Sequence, residues 1–377
     1  MTQNLQAIIE DADKYKDYLL DMMIDNGASD MYLTYNEPPC LRIMDKVHKI
    51  NQLPPFDEYQ LKEMAYMFMD DFEGETFREN LDIDLGWSHN GKRFRINVSR
   101  QKKTIMIVIR LLSEKIPTVD ELGLPHIFKD LVGNSNWIIL LAGPTGSGKS
   151  TTLASMIEEV NINYPSHIIT IEDPIEYVFQ AKKAVIEQKQ LGIDIRSFAR
   201  GLKSALRQKP DVILFGEMRD LESIQNAITL AETGHLVLST IHSKSAGQTI
   251  SKILDAFPSD QQNQVRIQLS DTLLSVISQR LMRKKWGKWM VSAHEIMINN
   301  SAISNLIRDN QIKQINNIIQ TSKGSWMQIL EENLISLFEN WSIDYQTALA
   351  YSNDPEYIQS EIKNRWIVVN DMNTPGF

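Results

Sequence analysis

The sequence predicts an α/β protein in two parts, an α+β module followed by a doubly wound parallel sheet, and three observations support it. Four nearly continuous apolar runs, "WIILLA" (137–142), "HIITI" (167–171), "DVILFG" (211–216) and "HLVLSTI" (235–241), have the composition of parallel strands buried on both faces. Helix-like stretches separate them: "STTLASMIEEVN" (150–161), "SFARGLKSALRQ" (197–208) and "LESIQNAITLAET" (221–233). Before residue 113 the pattern differs, with shorter runs that alternate apolar and polar residues as half-buried strands do.

In chain order, a charged helix-like opening leads to "SDMYLTYNEPPCLRIMDKVHKI" (29–50), two strand-like runs around a Pro-Pro turn. A second helical stretch surrounds "EYQLKEMAYMFMDDF" (58–72). "DIDLGWS", "HNGK" and "RFRINVSRQ" (82–101) read as a hairpin, and "TIMIVIRLL" (104–112) adds a strand. "SEKIPTVDELGLP" (113–125), with prolines towards both ends, is the linker. The α+β module then covers residues 1–113, the linker 114–120 and the second domain 121–377. That domain has a core to about residue 298, closed by a marginal hairpin at "QRLMRKKWGKWMVSAHEIMI" (279–298), and a helix-rich part over 299–377.

At 377 residues there is room for two or three cores. The net charge of −9 argues against nucleic acid binding over the whole surface, because phosphate contacts are made by Lys and Arg. Cys40 is the single cysteine, which excludes an internal disulfide and a cysteine zinc cluster. The first residues lack the basic and apolar regions of a signal peptide, and no run of about 18 apolar residues is present, so a cytosolic chain without a transmembrane segment is expected.

Four segments carry chemistry. "GPTGSGKST" (143–151) fits G-x-x-x-x-G-K-[ST] between a strand and a helix. Gly146 and Gly148 let the backbone turn its N–H groups toward phosphate oxygens. Lys149 brings a point charge, Ser150 a hydroxyl for Mg²⁺, and the helix start its dipole. "TIEDPIEY" (170–177) crowds Glu172, Asp173 and Glu176 after a strand, where metal and water are held; Glu176 is the candidate to polarise water. In "PDVILFGEMRD" (210–220), Glu217 follows a glycine at the strand end and is suited to hold Mg²⁺ through water or to align the attacking water. Asp211 is expected to be a cap, and Arg219 with Asp220 a local ion pair or a chemical element.

In "AETGHLVLSTIHSKSA" (231–246), seven steps along one strand separate His235 from His242 by about 23 Å and set them on opposite faces, so they do not share a metal. His242 stands at the carboxyl end of its strand, the edge at which open α/β sheets bind ligands, and is expected to sense the γ-phosphate. His235 reads equally as a boundary residue or a structural one.

With these segments in this order, the chain resembles the secretion and pilus ATPases, in particular the PilT/PilU-like type IV pilus retraction motors. The segments match that family's Walker A, Asp box, Walker B with glutamate and His box. "GASDMYLTYNEPPCLRI" (27–43) is similar to its PAS-like opening, "GKRFRINV" (91–98) to its arginine-bearing hairpin and "NLIRDNQIKQINNIIQTSKGSWMQILEENL" (305–334) to its C-terminal helices. The resemblance implies an N-terminal PAS-like domain and a RecA-like P-loop ATPase domain, assembled as a homohexamer at the inner-membrane base of the pilus machine. It implies ATP and Mg²⁺ as cofactors and an inner-membrane platform protein as partner, with a paralogous retraction ring as a further one. Carried over, Gly143, Pro144, Thr145, Gly146, Ser147, Gly148, Lys149, Ser150 and Thr151 bind nucleotide, with Arg95 and Arg110 as arginine fingers. Glu176, Glu217, His235 and His242 serve catalysis, and Ser150, Glu172 and Glu217 the metal.

Two positions depart from the pattern: Lys103 where arginine is frequent, which loses the bidentate fork, and Ser304 where a basic residue is common. The expected function is hydrolysis-driven pilus retraction and hence twitching motility. The alternatives are an assembly or secretion ATPase, against which one cysteine and a short N-terminal module speak; an accessory PilU-like ATPase of low turnover; and a RecA-like DNA motor. Whether the chain is PilT-like or PilU-like stays open.

Overall fold

The computed structural model describes residues 7–372 apart from 10, 45, 113–114, 219, 287–288, 323 and 325, with backbone alone over 366–372. By contacts the chain divides into two compact units. One comprises Met1–Lys115 with Pro174–Val178, the other Ile116–Asp173 with Phe179–Phe377.

The first unit is built on a six-stranded antiparallel sheet. Its elements are α1 (Ala12–Asp25), β1 (Asp30–Thr34), β2 (Cys40–Ile43), β3 (Lys46–Lys49), α2 (Glu58–Met67), α3 (Asp71–Asn80), β4 (Asp82–His89), β5 (Lys92–Gln101) and β6 (Thr104–Leu111). The strand order is β3-β2-β1-β6-β5-β4. Asn90 and Gly91, at φ 48° and 76°, make the two-residue turn between β4 and β5; both φ values are positive, as the primed hairpin turn requires. Along β5, Phe94, Ile96 and Val98 are buried while Arg93, Arg95 and Asn97 face the other way, the period of two read from the sequence. The apolar face joins Leu20, Met31, Leu33 and Ile107 in one core.

The helical stretch around residues 58–72 proves to be two helices. Asp57 with Gln60 and Asp70 with Glu73 each form a reciprocal capping box, so the second acid starts a new helix instead of extending the first.

The second unit carries α4 (Ile127–Val132), β7 (Ile138–Ala142), α5 (Lys149–Asn163), β8 (His167–Glu172), β9 (Val185–Gln190), α6 (Phe198–Ala205), β10 (Val212–Glu217), α7 (Leu221–Glu232), β11 (Leu236–Ile241), α8 (Ala246–Asp255), α9 (Gln262–Thr272), β12 (Leu273–Arg283) and β13 (Met290–Ile298). The helices α10 (Ser301–Arg308), α11 (Ile315–Thr321), α12 (Leu330–Glu339), α13 (Tyr345–Tyr351) and α14 (Pro355–Met372) follow. The sheet order is β13-β12-β7-β11-β10-β8-β9; only β12 and β13 pair antiparallel, as the sequence suggested for a hairpin at the margin. Ile138, Leu140 and Ala142 of β7 join a core with Leu202, Ala227, Ile228 and Ile250 from the helices. Ile139 and Leu141, of opposite pleat, are equally buried, so both faces of the strand are covered.

β9 is the strand that the apolar pattern does not announce. "VIEQKQ" is mostly polar because it pairs on one side only, with β8, at the sheet's edge. No helix among the described residues is long and apolar enough to cross a membrane.

Candidate active site at the carboxyl edge of the sheet

β7, β11, β10 and β8 are parallel neighbours, so their carboxyl ends share one edge. β7 ends at Ala142, and after six intervening residues α5 begins at Lys149. Gly143, Gly146 and Gly148 have φ of 149°, 77° and 82°. At Gly143 a Cβ would lie 2.5 Å from the Gln279 carbonyl oxygen and 2.6 Å from Ser147 Oγ, so contact as well as conformation demands glycine. Gly148 gives α5 no side-chain cap, which leaves the first N–H groups of the helix turned toward the loop. Lys149 folds back over that loop, its Nζ donating to the carbonyls of Gly143 (3.0 Å) and Pro144 (2.9 Å). Ser147 Oγ is buried with no hydrogen-bond partner. An uncapped helix start and an orphaned hydroxyl fit a polyphosphate. Pro144, Thr145 and Ser150 are exposed at the loop and Thr151 is half-buried.

One residue that holds this loop was not found from the sequence. Gln279, buried on β12, donates from Nε2 to the Ser147 carbonyl (2.7 Å) and accepts from Thr152 Oγ1 (3.0 Å). It therefore ties the loop to the first turn of α5. Its strand, LLSVISQRLMR, mixes serines and arginines with apolar residues, so nothing local singles the glutamine out.

At the end of β10 the register with β11 shifts between Phe215 and Glu217, leaving Gly216 as a bulge residue. Thr240 Oγ1 donates to the Gly216 carbonyl (2.6 Å) and Met218 N–H to that of Thr240 (2.9 Å), fixing the distorted end. Glu217 is thereby set 3.4 Å from His242, Oε1 to Nε2, with the histidine 40% exposed and the glutamate 14%. Gly143 N–H reaches the Ile241 carbonyl (3.3 Å), so the phosphate loop adjoins the segment that carries His242.

The loop from His242 to Ser245 is tied along its length. The carbonyl of Lys244 accepts from Ser278 Oγ and Arg280 Nη2, each at 2.9 Å, and the Ala246 N–H donates to Glu295 Oε1 (2.5 Å). Lys252 Nζ donates to the His242 carbonyl (2.9 Å). Burial pushes the Glu295 carboxyl up to about 7, while the Ala246 N–H and the Arg280 charge oppose the rise.

At the end of β8, Glu172 Oε1 accepts from Thr170 Oγ1 (2.6 Å) and Gln188 Nε2 (3.3 Å). Glu176 lies in Pro174–Val178, the segment that groups with the first unit. His235 sits at the entering end of β11, the opposite end from His242. Its Nδ1 donates to the Leu230 carbonyl (2.8 Å) at the close of α7, which is a structural contact. Asp211 Oδ2 accepts from His167 N–H (2.7 Å) as a cap, and Asp220 caps α7 through Ser223 N–H (2.8 Å); Arg219 lies outside the described residues.

In the first unit, Arg95 and Arg110 stand directly opposite each other on β5 and β6. Arg110 pairs with Asp30 (2.8 Å) and Arg95 with Asp84 (2.8 Å). The row continues across the sheet through Asp30 to Arg42, so arginines of three strands line one register. Lys103, at φ 69°, is in the β5–β6 turn.

Among the described residues no group of three or more His, Cys, Asp and Glu could hold a metal ion. The donors at the edge, a serine hydroxyl and separated carboxylates, fit magnesium held largely by phosphate and water.

Comparison with known proteins agrees with this geometry. The family described as Type II/IV secretion system protein matches residues 13–336. The type IV pilus retraction ATPase PilT of Pseudomonas aeruginosa is 42% identical over 339 residues, 90% of this chain and 98% of the relative. The type IV pilus ATPase PilU of the same organism is 35% identical over 92% of this chain and 90% of the relative. A crystal structure of the pilus retraction motor PilT with bound ADP superposes with a TM-score of 0.86 at 41% identity, covering 91% of this chain and 98% of that one.

Proposed function

This chain belongs to the Type II/IV secretion system protein family and is an ATPase, and we propose that it works as a six-membered ring that uses ATP hydrolysis to withdraw type IV pili. The observation that carries this reading is the uncapped start of α5 behind three glycines of positive φ, in a chain 42% identical to PilT over 98% of that protein's length. Identity of 42% to PilT against 35% to PilU favours the motor over the accessory reading.

In the proposed reaction, the loop N–H groups and the start of α5 bind the β- and γ-phosphates, and Lys149 exchanges the Gly143 and Pro144 carbonyls for phosphate oxygens. Water attacks the γ-phosphorus, the bond to the β,γ-bridging oxygen breaks, and ADP leaves. Glu217 aligns that water and takes its proton. His242, beside Glu217, donates a hydrogen bond that exists only while the γ-phosphate is bound. Magnesium, when bound by Ser150 and the edge carboxylates through water, neutralises phosphate charge. Arg95 and Arg110 are the first unit's charges for the transition state, and Glu176 a second carboxylate for water. The platform protein at the inner membrane is the proposed recipient of the work, from the cytoplasmic side.

The test pairs chemistry with cells. Purified chain is expected to hydrolyse ATP and to show a six-subunit native mass, and Glu217→Ala to abolish turnover. A strain lacking the gene should carry excess pili, cured by wild type and not by Lys149→Ala. Bald cells would assign the chain to pilus extension, and equal negligible turnover in wild type and Glu217→Ala would end the enzyme reading.

A further inference from the structure

The tip of the β12–β13 hairpin is unlike the rest of the surface. From Leu281 to Ser292 the sequence "LMRKKWGKWMVS" holds four basic residues and no acid, in a chain of net charge −9. Trp286 and Trp289 are 72% and 77% exposed, Met290 is 45% exposed, and Trp341, from the turn after α12, is 65% exposed. Lys285 brings two of these rings together. Lys285 Nζ lies 5.5 Å from the Trp286 ring centre and 4.6 Å from that of Trp341, and Lys285 N–H donates to the Ser342 carbonyl (2.8 Å). Lys284 N–H donates to the Trp289 carbonyl (2.9 Å), closing the base of the tip. Asp344 lies near enough to Lys285 to feel its charge, and its carboxylate already accepts from Thr347 N–H (2.7 Å).

We infer that this patch is a docking surface for an anionic lipid headgroup layer. Exposed tryptophan on water is unfavourable, and two rings about one lysine, with a third exposed on the same hairpin tip, need a partner that accepts an apolar body with a polar edge. The cores of protein interfaces take tryptophan and deplete lysine. Here lysine and tryptophan alternate, the composition of chains that settle at the bilayer interface, where rings enter the headgroup region and ammonium groups meet lipid phosphate. The backbone supports such a role, since the tip stands on a paired hairpin and the Trp341 turn on α12. Behind them Met282, Leu334, Ile335 and Ile343 make a separate buried cluster. Contact of this kind rests on neither nucleotide nor pilus, so it goes beyond the motor reading.

The experiment is flotation of the full-length protein with vesicles of mixed phosphatidylglycerol and phosphatidylcholine, against phosphatidylcholine alone. Binding is expected to the anionic vesicles only, to weaken with added salt, and to shift tryptophan emission to the blue. Trp286→Ser with Trp289→Ser should lower the partition constant at least about tenfold while leaving the ATPase rate unchanged. Lys284→Gln with Lys285→Gln, which leaves every ring in place, should lower it and flatten the salt dependence. Absence of flotation, or flotation of both double variants equal to that of wild type, overturns the proposal in favour of a protein partner. Unchanged flotation of the tryptophan variant with loss of its native ring mass would instead make the patch a contact between copies of this chain.

Discussion

Gln279 is the sharpest place to perturb the phosphate loop, because it holds the loop from a neighbouring strand through the Ser147 carbonyl and Thr152. Gln279→Glu keeps the volume and keeps an acceptor for Thr152 Oγ1, but it replaces the Nε2 donor to the Ser147 carbonyl with an oxygen. One buried hydrogen bond is lost and a buried acceptor is left unmet, at about 1–3 kcal/mol, with more if the new carboxylate ionises. Since about 1.4 kcal/mol is a factor of ten, ADP affinity should fall roughly ten- to hundredfold if the loop must be held to bind. Gln279→Leu removes both bonds and should fall further. Calorimetric titration of ADP, beside a thermal melt, separates the two possible roles. A purely structural glutamine would lower the melting temperature and leave nucleotide affinity alone. The Glu variant has its own signature: acidification protonates the carboxylate, restores an O–H donor toward Ser147, and should recover affinity as pH falls. Unchanged ADP affinity in Gln279→Leu, or affinity of Gln279→Glu that ignores pH, would refute the clamp.

Lys149→Ala should remove phosphate binding and turnover together, read by nucleotide titration and phosphate release; retained hydrolysis would overturn the loop assignment. His242→Ala should keep ATP affinity near wild type and slow the catalytic step about ten- to a hundredfold, seen as a lower kcat at similar KM; a large loss of binding at an unchanged rate would contradict the sensor role. Glu295 supplies a pH test. Its folded carboxyl is raised from 4.5 to about 7 by burial, so between those values the native state holds a proton that the unfolded chain has released. Stability should therefore decline as pH rises from about 4.5 to 7, by roughly 1–3 kcal/mol. Glu295→Gln, which can still accept from Ala246 N–H, should flatten that slope in thermal melts and raise the melting temperature above pH 7. A slope equal to wild type would refute this. Gly143→Ala should abolish nucleotide binding, since its Cβ would meet the Gln279 carbonyl oxygen at 2.5 Å; normal affinity by titration would show that the loop adapts.

What the sequence determined by itself is whatever depends on neighbours along the chain. Nearly continuous apolar runs at 138–142 and 236–241 require burial on both faces, and the glycines at 143, 146 and 148 require a backbone that no other residue takes easily. Asn90–Gly91 dictates its own hairpin turn, and an odd spacing parts His235 from His242 wherever the strand lies. Tertiary structure alone decided which polar groups meet. Gln279 reaches the phosphate loop across 132 residues because β12 packs beside β7, and Glu217 turns to His242 because β10 bulges at Gly216. The arginines of β2, β5 and β6 share a row through strand register, and the polar strand β9 exists because β8 leaves an edge to pair with. Periodicity and backbone preference are properties of a short segment. Strand order is set by how whole faces pack, and no segment contains that information.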